Sequence, residues 1–137
     1  MSSIKLCYKT YDVKMSLSAI KQFNSATGLD IYASLLDLIV VMTDWQKSNT
    51  GVHDLCRNLY KSCDFITASK LFHAMIVKEG SRIDMEEIQD AMFRVGILPT
   101  EIDNDMGEPW CMVLVEMAFA VVKDFEDMSK GKKKEDI

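Results

Sequence analysis

The chain has 137 residues, of which 48% are apolar and 27% charged, with a formal net charge of -5. That mixture builds one domain with one core and excludes global disorder. Only two prolines and six glycines are present, too few turn-formers for an all-β fold of many short strands, and the acidic balance without a basic face argues against nucleic acid as a partner.

Ile4, Leu6 and Tyr8 alternate with Lys5, Cys7 and Lys9. Period two predicts a short strand or extended arm over Ile4 to Thr10. A lone strand cannot satisfy its own backbone groups, so it must pair with Tyr11 to Met15 or with another subunit. Ser16 is an N-cap for a helix carrying Leu17, Ile20 and Phe23, stopped by Gly28. Asp30 caps a second helix with Ile31, Leu35, Leu38, Ile39 and Met42 on one face, and Lys47 to Gly51 forms a polar loop. Val52, Leu55, Leu59 and Cys63 give a third helical stripe.

A fourth helix starts at Asp64 or Thr67, turns Ala68, Leu71, Phe72, Met75 and Ile76 inward, and ends at Gly80. Asp84-Met-Glu-Glu87 matches a capping box for a fifth helix with Ile88, Ala91, Met92 and Val95 inward, stopped by Gly96. Ile97 to Pro109 is the longest irregular stretch and is acidic. Pro109 suits the first turn of a last helix running to about Asp127. From Trp110 to Val122 only Glu116 is charged, so this helix is central to the core or covered by a partner. Residues 129–137 are charged without periodicity and are expected to be disordered. The expectation is a mainly α fold: one multi-helix domain over residues 1–128 with a short N-terminal strand or arm.

No apolar block in the first ten residues has signal-peptide length, and the run Cys111 to Val115 is cut at Glu116. A membrane span needs about 20 apolar residues. No membrane is therefore expected. Cys7, Cys56, Cys63 and Cys111 are widely spaced among apolar neighbours and read as reduced thiols of a cytosolic protein.

Motifs that carry chemistry are weak. Asp103-Asn-Asp-Met-Gly-Glu108 resembles a calcium loop, but Gly107 falls at position five and Leu114 at position twelve, where such a loop needs glycine at six and a bidentate glutamate at twelve. His53 and Cys56 have the spacing of half a zinc site, while Cys63 and His73 do not supply the other half. Neither cysteine–histidine pair has an orienting acid, and no phosphate-binding glycine motif occurs. The expectation is a binding protein, not an enzyme, with no cofactor and no metal. Lys130 to Lys134 is basic but lacks interleaved aromatics and is followed by Glu135 and Asp136, which reads as a solvated tail. Of ten methionines seven fall in the second half, Met75, Met85, Met92, Met106, Met112, Met117 and Met128, and they suit both core packing and an adaptable groove beside the last helix.

The order of strand-like arm, Ser16-Leu-Ser-Ala-Ile20, Phe23, Ala26-Thr-Gly-Leu-Asp30 and Leu35-Leu-Asp-Leu38 resembles the tail assembly chaperones of long-tailed bacteriophages. The later helices, with Asp64-Phe-Ile-Thr67 and Asp84-Met-Glu-Glu87, are similar to that family's small helical layout. The resemblance implies a protein of the host bacterial cytoplasm that binds the tape measure protein, a long helical chain. It would keep that client soluble while tail tube subunits gather, and be absent from the mature virion. It also implies a longer form, made by ribosomal frameshifting, that recruits the tail tube protein. Gly131-Lys132-Lys133-Lys134 must be encoded by a glycine codon followed by three AAA or AAG codons, a run on which such a shift occurs.

The expected client surface is Met92, Phe93, Trp110, Met112 and Phe119, on and beside the last helix. Self-association is expected from the N-terminal arm and the apolar last helix. Two rival expectations stand beside this one. The acidic loop with the His/Cys set would give a metal-responsive regulator, and retention in the particle would make the chain a structural subunit.

Overall fold

The N-terminal arm is a hairpin. In the computed structural model, which describes residues 2–78, 83–98 and 106–135 and the side chains as far as 123, strands β1 (Ser2–Leu6) and β2 (Lys9–Val13) pair antiparallel with Ile4 opposite Tyr11 and Leu6 opposite Lys9. Ile4, Leu6, Tyr11 and Val13 all point into the core. The expected extended segment instead breaks at Cys7-Tyr8, a turn with positive φ at both residues (49° and 67°). Positive φ at both central positions matches the twist of a two-residue hairpin and normally calls for Asn-Gly. Tyr8 is therefore exposed rather than inward, and its N–H donates to the Met106 carbonyl at 3.4 Å.

The free edge of β2 is covered by the chain that leaves the fourth helix. Val13 bridges Ile76, Lys14 N–H donates to the Met75 carbonyl at 2.9 Å, and Val77 N–H donates to the Asp12 carbonyl at 2.8 Å. The partner strand is thus intramolecular, and the Val13 end of the β2 edge is paired within the chain.

Six helices follow among the described residues. α1 (Leu17–Thr27) starts on Ser16, whose Oγ accepts from Ala19 N–H at 3.0 Å. It ends at Gly28, whose φ of 77° needs no Cβ to be accommodated. The chain bends by 86° into α2 (Ile31–Lys47), capped by Asp30 accepting from Ala33 N–H at 2.9 Å. Trp45 Nε1–H donates to the Gly51 carbonyl at 3.1 Å and ties the end of α2 to the start of α3 (Val52–Ser62).

Asp64 caps α4 (Phe65–Met75) by accepting from Thr67 N–H at 2.9 Å. That backbone bond holds the Asp64 carboxyl below the usual carboxylate range. The sequence places the end of α4 at Gly80, but it stops at Met75 because the β-branched Ile76 and Val77 are recruited to the β2 edge. Gly80 itself lies outside the described residues.

Asp84 sits at the N-cap of α5 (Met85–Val95) but its side chain makes no capping bond, so the expected box does not close. Its would-be partner is drawn elsewhere: Glu87 accepts from Tyr11 Oη–H at 3.3 Å and faces Lys9 Nζ at 3.5 Å. α6 (Trp110–Glu135) begins after Pro109, with Trp110 N–H donating to the Gly96 carbonyl at 3.1 Å. Its backbone stays helical to Glu135, past the expected stop near Asp127 and through most of the segment expected to be disordered. Lysine is a good helix former and suits the negative end of a helix dipole, which offsets the cost of Gly131.

The architecture is a single small, mainly helical domain with a two-strand antiparallel sheet at its N-terminus. α6 runs through it, packing on β1, α2 and α3, while α4 packs on α1 and α5. Trp110, Cys111, Val113, Leu114, Met117 and Ala118 are all buried on α6. Of the two alternatives for that helix, the central one holds for most of its circumference.

Candidate functional site

α2 is apolar on two faces. Ile31, Leu35, Leu38 and Met42 face inward, as their helical spacing requires. Tyr32, Leu36 and Val40 recur at four-residue intervals on the opposite side and are 40%, 54% and 55% exposed. Residues spaced by four lie above one another on a helix, so these three form one uninterrupted strip open to solvent. Asp37 and Asp44, two turns apart and both exposed, run along one flank of the strip.

The other flank leads into a groove of about 510 Å³ between α2, α6 and the hairpin. α2 contributes Met42 and Gln46 to its lining, and the row Met112, Val115, Glu116 and Phe119 of α6 forms its opposite wall. Lys5 and Glu108 stand at the hairpin end. Ile39 and Thr43, one turn before Met42 and Gln46, join the strip to the groove on the α2 surface. Partial burial pushes the Glu116 carboxyl above its usual range, and the nearby Glu108 carboxylate adds to the shift. The result is an apolar face with carboxylates on both borders.

The expected client residues divide. Met92 is fully buried and Trp110 is 2% exposed. The Trp110 ring packs at 6.0 Å from Tyr60 and edge-on at 6.0 Å from Phe65, so both expected contacts are core. Met112 is half-buried against the core and lines the groove, and Phe119 lines it at 43% exposure. Phe93 is 79% exposed on α5 and is not among the residues that line the groove. The structure therefore brings together Met112 and Phe119 and leaves the other three apart from them. The α2 strip was missed. Its signal was present in the second set of apolar residues at four-residue spacing, Tyr32, Leu36 and Val40, beside the inward stripe.

The groups that suggested chemistry are used structurally. His73 Nδ1 lies 2.9 Å from Gln22 Nε2 and its Nε2 lies 2.9 Å from the Ile83 carbonyl. His53 is exposed, while Cys56, Cys63 and Cys111 are buried. The Cys56 and Cys111 thiols lie close to each other, one on α3 and the other on α6. Burial pushes the Cys63 and Cys111 thiols up to about 12, far from a reactive thiolate. Among the described residues no group of three or more His, Cys, Asp or Glu side chains is placed to hold a metal ion. Asp103 and Asp105 of the acidic loop lie outside the described residues, as do the side chains of Gly131 to Lys134.

No single helix among the described residues is long and apolar enough to cross a membrane. Comparisons with protein-family models, with curated proteins and with solved structures give no match.

Proposed function

We propose that this chain is an assembly chaperone that works by binding the helical segments of a client protein, with the α2–α6 face as its seat. The observation that carries the reading is the solvent-open apolar strip Tyr32, Leu36 and Val40, continued by Met112 and Phe119 across the groove. Large side chains left in water at regular helical spacing are the usual mark of a protein-binding surface. An elongated groove beside such a strip fits the apolar side of an amphipathic helix. Methionine, unbranched and polarizable, adapts to side chains of differing shape, as a client with many unlike segments requires.

The resemblance to phage tail assembly chaperones gives the client its identity in this proposal: the tape measure protein, a long helical chain whose apolar stripes would aggregate if left bare. Many copies bound along it keep it soluble in the host cytoplasm until tail tube subunits replace them. A frameshift at Gly131 to Lys134 supplies the longer form that contacts the tail tube protein. Co-expression with the tape measure gene from the same locus tests this. The client is expected in the soluble fraction, co-purifying with the chain. A client equally insoluble with and without the chain overturns the reading. Recovery of the chain in stoichiometric amounts from purified particles would instead make it a structural subunit.

A further inference from the structure

The borders of the α2–α6 face specify the charge of what binds there. Along the α2 strip, Asp37 and Asp44 are both exposed on the same flank. Across the groove, Glu108 and Glu116 stand on the opposite border. Against these four carboxylates the face offers Lys5 at the hairpin end, Lys47 at the last residue of α2 and the exposed Lys123, one turn past Phe119 on α6. The apolar floor between the borders runs along α2 for more than two helical turns, from Tyr32 to Met42, so it accepts a segment lying along it, not a compact ligand. The wall at Met112 and Phe119 gives that segment a side to rest against.

From this arrangement we infer that the occupant is a basic amphipathic helix of a partner protein, with an apolar stripe flanked on both sides by lysine or arginine. The inference rests on the helix-binding reading and adds the sequence class of the client segments. Its physical basis is charge complementarity. A helix with acidic flanks would set carboxylate against carboxylate on both borders and bind more weakly for that reason. A second copy of this chain is a poor occupant by the same criterion, because α2 would bring its own Asp37 and Asp44 to the contact. Lysine and arginine also have long stems that extend the apolar contact past the stripe while their charges reach the rim.

The test uses the full chain and two synthetic peptides of about 18 residues, long enough for five turns. Both carry leucines at i, i+3, i+4 and i+7, one with lysine on both flanks and one with glutamate at the same positions. Fluorescence anisotropy is expected to show the lysine peptide binding at least about tenfold more tightly than the glutamate peptide, with the advantage shrinking as salt screens the borders. The double substitution Asp37→Lys/Asp44→Lys should shrink or invert that ratio. Leu36→Ala/Val40→Ala, at exposed positions where folding is not at stake, should weaken both peptides.

Equal affinity for the two peptides, or preference for the acidic one, overturns the inference. So does binding that is indifferent to Leu36→Ala/Val40→Ala, or a dimer in light scattering that Leu36→Ala/Val40→Ala returns to a monomer. If the tape measure client is kept soluble by the chain but neither peptide binds, the charge inference falls and the chaperone reading stands. If the lysine peptide binds as stated but the client stays insoluble, the chaperone reading falls and the helix-binding face stands.

Discussion

Gln22 on α1 and His73 on α4 meet at 2.9 Å, Nε2 to Nδ1, and the direction of every bond around them is fixed by Lys78. Lys78 Nζ donates to Gln22 Oε1 at 3.3 Å. The amide must therefore present its NH₂ to His73, which accepts at Nδ1 and carries its proton on Nε2, where it donates to the Ile83 carbonyl at 2.9 Å. One relay joins α1, α4, the stretch after α4 that covers the β2 edge, and the segment leading to α5. Gln22→Leu should cost about 1–3 kcal/mol, because it leaves a partly buried imidazole acceptor and an ammonium without their partner. Denaturant midpoints check this, and nitrogen chemical shifts should report the Nε2–H tautomer.

The Cys7-Tyr8 turn holds two non-glycine residues at positive φ. Each costs about 1 kcal/mol relative to a residue without Cβ crowding. Tyr8→Gly keeps the N–H that meets Met106 and removes the strain at that position. The variant is expected to be more stable than the parent in urea, and a lower midpoint would contradict the account of the turn.

Phe119 and Trp110 lie on the same helix but should respond in opposite ways. Trp110→Ala removes a ring packed between Tyr60 and Phe65 and should destabilise the fold by about 3–5 kcal/mol. Phe119→Asp, at a side chain 43% exposed, should leave the circular dichroism spectrum and midpoint near those of the parent while client co-purification is lost. A folded Phe119→Asp variant that still retains the client would remove the groove wall from the site.

Alkaline pH should weaken the fold by ionising groups that it keeps protonated. The Cys63 and Cys111 thiols are raised from 9.0, and the Tyr11 phenol from 10.0, each to about 12 and chiefly by burial. Each group binds its proton more tightly folded than unfolded. The stability this contributes is complete below the unfolded values and is lost as pH rises through the folded ones. From neutral pH, stability is therefore expected to stay flat up to pH 9 and to fall between about 9 and 12. In native protein at neutral pH a thiol reagent should label Cys7, which is half-buried, well ahead of Cys56, Cys63 and Cys111. Rapid labelling of all four would contradict the burial.

Local signals carried most of the fold. Ser16, Asp30 and Asp64 cap helices as their side chains demand, and Gly28 takes the left-handed position that ends α1. What local pattern did not carry depended on long-range contacts. The end of α4 is set by pairing between Ile76 and Val13, which lie far apart in the chain, and the fate of Glu87 is set by Tyr11 on another element. The site was legible only in part for the same reason. Apolar periodicity on α6 marks Trp110 and Phe119 alike, and only the packing of Tyr60 and Phe65 on one side separates core from groove. The strip on α2 was readable as a second apolar period, because a helix needs one such face for its core and Tyr32, Leu36 and Val40 supply another.

The most direct test of the central claim is the soluble fraction of the proposed client, the tape measure protein, co-expressed with the parent chain or with Leu36→Glu/Val40→Glu, each confirmed to be folded. The account predicts a soluble client with the parent and an aggregated one with the double variant. A client kept equally soluble by both would contradict it, because the exposed face of α2 would then have no part in holding the client.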